Sequence, residues 1–126
     1  DPPYNQRQYA TNYHMLETIA KYDNPEIHGK TGLREYQNQK SLYCSRTQVK
    51  KAFKDLILKA RAKYIFLSYN NEGLMTLDDI QEIMSLRGKY GNFTKEYNRF
   101  KADKSENRNY TANKTVEYLH YVVCNN

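Results

Sequence analysis

Lys63-Tyr64-Ile65-Phe66-Leu67-Ser68-Tyr69-Asn70 sets the architecture of this 126-residue chain. An unbroken apolar run in its first half gives way to polar residues in its second half. A short, continuous apolar run is typical of a strand that is buried on both faces, as in a parallel sheet. The segment therefore predicts a buried strand with a polar carboxyl end. The polar residues are Ser68, Tyr69, Asn70 and Asn71.

An amphipathic helix is predicted on each side of this strand. The earlier helix begins after a capping-box pattern, Ser45 to Gln48, and the later one is capped by Thr76 with Asp79. Each shows apolar residues at helical spacing, and Gly88 or Gly91 ends the second helix. The inward residues are Val49, Phe53, Leu56, Ile57 and Ala60 in the first helix, and Leu77, Ile80, Ile83 and Met84 in the second. A strand between helices predicts the α/β class.

The flanking segments add a helix and a hairpin. A helix is expected from Tyr9 to Tyr22, ended by Asn24-Pro25, and a long exposed loop from Glu26 to Ser45. The segments Phe93–Phe100 and Thr115–Val123 are rich in β-formers. They predict a terminal β-hairpin, joined by a mobile, charged loop over residues 101–114.

Positive charge is concentrated in one third of the chain. The whole chain has 20 Lys and Arg against 14 Asp and Glu, a net charge of +6. Residues 30–63 hold ten of the basic residues and only two acidic ones, Glu35 and Asp55. A local field of this size favours phosphate binding, although a solvated helix face would show the same pattern. Lys50, Lys51 and Lys54 are the candidate phosphate contacts.

Asp1-Pro2-Pro3-Tyr4 carries the most specific chemistry in the sequence. An exocyclic amine on a base is a poor nucleophile, because its lone pair is delocalised into the ring. The Asp1 carboxylate and the Pro2 carbonyl can each accept an amine hydrogen, and Pro3 restrains the residue before it. Tyr4 offers a flat face on which an extruded base can stack. The alternative reading is a polar turn or a frayed terminus.

With this order of elements, the chain resembles the carboxyl-terminal half of the D12-class, Dam-like adenine-specific DNA methyltransferases of bacterial type II restriction-modification systems. The matching features are the Asp-Pro-Pro-Tyr motif, a tract like Asn12-Tyr13-His14, and the polar strand end at Ser68 to Asn71. Arg99 and the Val116-Glu117 pair also resemble positions on the sixth and seventh strands of that family.

The resemblance implies the carboxyl-terminal part of a Rossmann-like sheet and transfer of a methyl group from S-adenosylmethionine to adenine N6. The family's Phe-x-Gly-x-Gly cofactor loop does not occur in this sequence. Residues 1–126 are therefore expected to be a partial catalytic domain, a truncation or fragment that is inactive alone. No metal site is expected, and the expected location is the cytoplasm, because no apolar segment is long enough to span a membrane.

The implied partner is double-stranded DNA with a flipped adenine. In this reading Asp1, Pro2, Pro3 and Tyr4 are catalytic, whereas Ser68, Tyr69, Asn70 and Asn71 edge the pocket. Weaker DNA-contact candidates are Asn5, Arg7, Tyr9, Lys50, Lys51, Lys54 and Arg99. Two alternatives remain open: a non-catalytic basic nucleic-acid-binding module, and a remnant that forms homodimers through an exposed sheet edge.

Overall fold

The computed structural model describes residues 2–98 and 114–125. Asp1, Arg99 and all but the last residue of the predicted loop 101–114 lie outside these ranges. No helix within them is long and apolar enough to cross a membrane. The described elements, in chain order, are α1 (Tyr9–Asn12), α2 (His14–Lys21), β1 (Ile27–His28), β2 (Leu33–Arg34), α3 (Val49–Lys59), β3 (Tyr64–Asn70), α4 (Leu77–Ser85), β4 (Gly88–Asn98) and β5 (Lys114–Cys124).

Within the described residues, the larger sheet has three strands in the order β3-β5-β4. β5 is antiparallel to both neighbours, with Tyr64 opposite Val123 on one side and Gly88 opposite Cys124 on the other. The predicted terminal hairpin is thus confirmed, although β4 begins at Gly88 rather than at Phe93. Because β3 and β4 both oppose β5, they run parallel to each other with α4 between them in the chain.

The prediction that β3 is buried on both faces is wrong. Leu67 and Tyr69 are 5% and 1% exposed, whereas Tyr64 and Phe66 are 52% and 63% exposed. This alternation places one face of β3 in the core formed with α3 and α4. An unbroken apolar run does not distinguish one buried face from two.

The helix α3 is where predicted, but its start is not. Ser45 Oγ lies 3.2 Å from Thr47 Oγ1, and no side chain caps the helix at Gln48, so the predicted capping box is wrong. Val49, Phe53 and Ile57 form the buried stripe, while Leu56, which was predicted to face inward, is 55% exposed. Three buried residues at a spacing of four are enough to anchor this face to the sheet.

The helix α4 follows its sequence pattern closely. The Thr76 hydroxyl accepts from the Asp79 amide at 3.1 Å, and the Asp79 carboxylate accepts from the Thr76 amide at 2.9 Å. This reciprocal pair is the predicted capping box. Ile80, Ile83 and Met84 are buried, and the helix ends at Ser85 shortly before Gly88. Leu77 is at the edge of the stripe, 39% exposed.

The predicted helix from Tyr9 to Tyr22 is divided in two. α1 and α2 meet at Tyr13, and Tyr22 ends α2 in the left-handed conformation with φ 49°. Leu16 and Ile19, which supported the helical pattern, are 63% and 67% exposed. The following segment is not an unstructured loop, because it contains the short hairpin β1–β2 and two 3₁₀ turns, Gln37–Gln39 and Leu42–Cys44.

Candidate active site

Tyr4 is held at the carboxyl end of β3 through its hydroxyl, its carbonyl and its ring. Its hydroxyl lies 3.2 Å from Ser68 Oγ. Its carbonyl accepts a 2.9 Å hydrogen bond from the Leu74 amide. Its ring makes an edge contact with Tyr69, with centroids 5.0 Å apart and planes inclined at 71°. The structure therefore brings Tyr4 of the motif together with Ser68 and Tyr69 of the polar strand end.

The four strand-end residues have different roles. Ser68 faces Tyr4, and Tyr69 lies in the core with its hydroxyl accepting from the Met75 amide at 3.3 Å. The Asn70 side chain accepts from the Glu72 amide at 3.1 Å, which shapes the turn. Asn71 extends the pairing with β5, because its side chain accepts from the Val116 amide at 3.1 Å. Of these four residues, Ser68 and Tyr69 contact Tyr4.

A glycine makes room for the Tyr69 ring. A methyl group built on Gly73 would overlap the ring carbons of Tyr69. Tyr69 is 1% exposed, so its ring has little space in which to move away. Burial also raises the pKa of its hydroxyl, and the hydroxyl oxygen accepts from the Met75 amide. The turn after β3 is thus built around this ring.

Pro2 and Pro3 line an open apolar groove along β3. The groove has a volume of about 580 Å³ and runs between α3 and the side chains of Phe66 and Leu67. Proline fixes its own φ and restricts the residue before it. The backbone of Pro2 and Pro3, which leads into Tyr4, therefore has few accessible conformations. Asp1, whose carboxylate is predicted to accept one of the two amine hydrogens, lies outside the described residues.

The segment after the motif is fastened to a distant loop. The Gln8 side chain accepts from the Ser41 amide at 2.8 Å and donates to the Ser41 carbonyl at 3.3 Å. The Arg7 carbonyl accepts from the buried Cys44 thiol at 3.3 Å. Of the DNA-contact candidates here, Asn5 accepts from the Arg7 amide at 2.8 Å, and Tyr9 is 56% exposed.

The basic candidates on α3 do not join this site. Lys50 forms an ion pair of 2.6 Å with Asp79 and so connects α3 to α4. Burial raises the pKa of the Asp79 carboxyl, but hydrogen bonds from Lys50 and Thr76 outweigh it and leave the pKa lowered. Lys51 and Lys54 are exposed and border a shallow groove beside Leu58. They form a separate exposed surface on α3.

Sequence reasoning missed Gly73, Leu74 and Gln8. Gly73 is visible in the sequence, but Asn-Glu-Gly predicts only a turn and does not reveal the ring beside it. Leu74 acts through its backbone amide, which leaves no side-chain signal. Gln8 contacts a residue 33 positions away, which a local pattern does not encode.

The contacts given above for Tyr4 involve uncharged groups. The described groups around Tyr4 are hydroxyls, an aromatic ring and backbone amides. Residues 2–98 and 114–125 contain no cluster of three or more His, Cys, Asp or Glu side chains arranged to hold a metal ion. Acceptors and an aromatic face are what an amino group on a flat base requires.

Curated proteins similar to this chain include three type II methyltransferases. M.NlaIII of Neisseria lactamica is 58% identical over 120 residues, M.FokI of Planomicrobium okeanokoites is 45% identical over 125, and M.CviAII of Paramecium bursaria Chlorella virus 1 is 36% identical over 123. These alignments cover 95%, 97% and 97% of this chain but only 35%, 19% and 35% of the respective relatives.

The chain therefore spans about a third or less of the length of these relatives. No solved structure matches it. The family described as D12 class N6 adenine-specific DNA methyltransferase matches residues 1–83, which include the motif, α3, β3 and most of α4. That match covers more than half of the chain and contains the Tyr4 contacts described above. The chain belongs to the D12 class of N6 adenine-specific DNA methyltransferases.

Proposed function

We propose that residues 1–126 form part of the catalytic domain of a restriction-modification DNA methyltransferase that methylates adenine at N6. The Asp1 carboxylate and the Pro2 carbonyl accept the two amine hydrogens and so return the lone pair to nitrogen. Tyr4 stacks on the flipped adenine. The observation that carries this proposal is the fastening of Tyr4 to Ser68, Tyr69 and Leu74 at the end of β3.

The sheet supports a Rossmann-like origin for this part of the domain. β3, α4 and β4 form a strand–helix–strand unit with parallel strands, and β5 enters between them in the opposite direction. In open α/β sheets, ligands bind beyond the carboxyl ends of the strands. The end of β3 carries Ser68 and the Tyr4 contacts, as this rule requires.

S-adenosylmethionine is the proposed methyl donor. The residues of this chain fit the part of the active site that holds the base rather than the part that holds the methyl donor. The chain has no Phe-x-Gly-x-Gly segment. Gly73 follows a strand and precedes a helix, but the space beside it is filled by the Tyr69 ring and offers no cradle for a ligand. The described residues therefore do not supply the main cofactor loop, and we expect no methyl transfer by this chain alone.

Double-stranded DNA is the proposed partner, and the cytoplasm is the proposed location. Exposed basic residues give a sequence-independent attraction for phosphates. Lys51 and Lys54 on α3 provide such a surface. Arg7 is exposed close to the motif, and Arg99 is retained as a phosphate contact on the basis of the sequence.

The test uses the full-length gene product that contains this chain. Incubation with DNA and S-adenosylmethionine, followed by nucleoside mass spectrometry, is expected to show N6-methyladenine. Tyr4→Ala should lower kcat by about 10- to 100-fold, because stacking on an aromatic ring contributes about 1–3 kcal/mol per base. Tyr4→Phe retains the ring and should remain within about threefold of the wild type.

Tyr22→Asn provides the matched control. It removes a tyrosine that is 94% exposed, and asparagine tolerates the left-handed backbone at this position. Its activity should equal that of the wild type. A product methylated at cytosine N4 would overturn the assignment to adenine, and equal activity of Tyr4→Ala and the wild type would overturn the role of Tyr4.

Self-association is a second candidate function, favoured by the open side of β3. In the part of the chain that the structure describes, β3 has a paired neighbour on one side only. The apolar groove beside Pro2 and Pro3 lies along the other side. An open edge next to apolar surface invites pairing with another chain. Sedimentation of the 126-residue chain tests this candidate: a dimer that Phe66→Lys dissociates supports it, and a monomer at all concentrations excludes it.

A further inference from the structure

We propose that Tyr69 is a positioning residue for methyl transfer and that its ring sets the tilt of the Tyr4 ring. This inference rests on the proposed function, since it assigns a role within the same site. Tyr69 would not touch the base; it would act through Tyr4. Gly73 contributes to this arrangement because it has no side chain and so leaves the space in which the Tyr69 ring lies.

The ring of Tyr69 is fixed more firmly than that of Tyr4. Tyr69 is 1% exposed, and its hydroxyl accepts from the Met75 amide at 3.3 Å. Its neighbours in the core include Met75 and residues of α3 and α4. Tyr4 is half-buried and packs against this core from outside. The buried Tyr69 ring therefore keeps its position, and the Tyr4 ring takes its orientation from it.

The edge contact with Tyr69 restrains the tilt of the Tyr4 ring. The Leu74 amide holds the Tyr4 carbonyl, and Ser68 lies at the far end of its ring, by the hydroxyl. Neither of these two contacts fixes the rotation of the ring about its Cβ–Cγ bond, because the first holds the backbone and the second holds an oxygen that lies on the rotation axis. The edge contact with Tyr69, at 71° between planes, resists this rotation. Because the two rings are inclined, Tyr69 does not overlap a face of the Tyr4 ring in parallel, which is the geometry in which a base would stack on Tyr4.

Ring tilt matters because the reacting amine has no covalent link to the enzyme. A base that stacks on Tyr4 takes its plane from that ring, so a tilt of Tyr4 moves the amine relative to its acceptors and to the methyl donor. Small displacements of reacting atoms lower the rate strongly, even when binding is unchanged. The positioning role therefore predicts an effect on kcat with little change in DNA affinity.

The test compares Tyr69→Leu with Tyr69→Phe in the full-length protein. Both variants lose the hydroxyl that accepts from the Met75 amide, but only the phenylalanine keeps the ring. Tyr69→Leu is expected to lower kcat about tenfold, on the scale of an edge-to-face aromatic pair, with unchanged affinity for DNA and S-adenosylmethionine. Tyr69→Phe should lower the melting temperature but keep kcat within about twofold of the wild type.

A double-mutant cycle with Tyr4→Ala shows whether Tyr69 acts through Tyr4. In the Tyr4→Ala background, Tyr69→Leu should cause no further loss of kcat. Equal losses of kcat in Tyr69→Leu and Tyr69→Phe would overturn the proposal, because a purely structural role follows the lost hydrogen bond. A tenfold loss that persists without the Tyr4 ring would overturn it as well.

A spectroscopic measurement separates this inference from the proposed function. In the full-length protein labelled with ¹³C-tyrosine, the Tyr4 ring resonance is assigned by its loss in Tyr4→Phe. Loss of the Tyr69 ring also removes its ring-current shift, so the measurement is the set of nuclear Overhauser effects between the Tyr4 ring protons and their neighbours other than Tyr69. Tyr69→Leu is expected to change this set, and Tyr69→Phe to keep it. If the wild-type protein does not methylate adenine, the proposed function fails, while these effects still decide whether Tyr69 orients Tyr4. An unchanged set in Tyr69→Leu overturns the inference.

Discussion

The motif site and the basic face of α3 were both predicted to bind DNA, yet they are built in different ways. Tyr4 contacts Ser68, Tyr69 and Leu74, and each contact involves a different group. Lys51 and Lys54 are exposed and line a shallow groove on α3. The motif site holds its side chains in a fixed geometry, whereas the basic face of α3 provides a positive electrostatic field.

This difference predicts how each region responds to change. A fixed geometry fails when one group is displaced, because its contacts depend on one another. A field weakens in proportion to the charge removed, and it is screened by salt. Substitutions near β3 should therefore change folding and kcat, while substitutions on the outer face of α3 should change the salt dependence of binding.

Acid should have the largest effect, and it should act on the sheet. His120 in β5 is 1% exposed, and burial lowers its pKa to about 4. As pH falls below about 6.5, the unfolded chain takes up a proton that the folded chain does not bind until about pH 4. Stability is therefore lost across this window, by about 3 kcal/mol in total. Urea unfolding between pH 7 and pH 4.5 measures the loss.

The variant His120→Gln should reduce the number of protons taken up on unfolding in that window by about one. His28→Gln, at a side chain that is 58% exposed, is the baseline for removal of a histidine. The same pH slope in both variants would show that His120 is not the group responsible.

Gly73→Ala should have the next largest effect. The added methyl group meets the buried Tyr69 ring, and overpacking of this kind costs about 1–3 kcal/mol. Thermal unfolding of the full-length protein measures the loss. The double variant Gly73→Ala with Tyr69→Leu should recover part of it, since the smaller side chain leaves room. Equal losses with and without Tyr69→Leu would mean that the ring is not the obstacle.

The two predicted capping boxes make a smaller and sharper test. Thr76→Ala removes a cap that the structure contains and should cost about 1 kcal/mol. Ser45 was predicted to cap α3 but does not do so in the structure. Ser45→Ala should therefore lower the free energy of unfolding by less than about 0.5 kcal/mol. Chemical denaturation of both variants measures the difference. A larger loss at Ser45 would reverse this assignment.

Lys51→Gln with Lys54→Gln should have the smallest effect on stability, within about 0.5 kcal/mol. In the full-length protein these changes should reduce the slope of log affinity against log salt by up to about 2, or about 0.9 for each phosphate contact. DNA binding at several salt concentrations measures this slope. Lys50→Gln is the contrasting variant, because it also breaks the ion pair with Asp79. An unchanged slope in the double variant would remove this face from the DNA interface.

Local patterns predicted the elements well but not the contacts between them. The capping box at Thr76, the buried stripe of α3 and the terminal hairpin were all readable, because each depends on neighbouring residues or a short repeat. The exposed face of β3 was not, because an apolar run does not say how many layers surround it. Phe66 is 63% exposed although its segment looked fully buried.

The site followed the same rule. The proximity of Asp-Pro-Pro-Tyr to the polar strand end was expected from the family resemblance, and the contact of Tyr4 with Ser68 agrees with it. The proposed roles of Gly73 and Tyr69 depend on a ring packed beside a turn, which no spacing in the sequence reports. The role of Asp1 stays a prediction from the sequence.

The central position of β5 has a consequence for synthesis of the protein. β3 carries the residues that hold Tyr4, but its pairing partner, with Tyr64 opposite Val123, is translated much later. A ribosome adds about 5–20 residues per second, so several seconds pass between the synthesis of β3 and that of its partner β5. During that interval the apolar edge of β3 is open to other chains. We therefore expect nascent chains stalled before β5 to be the form that most needs a chaperone.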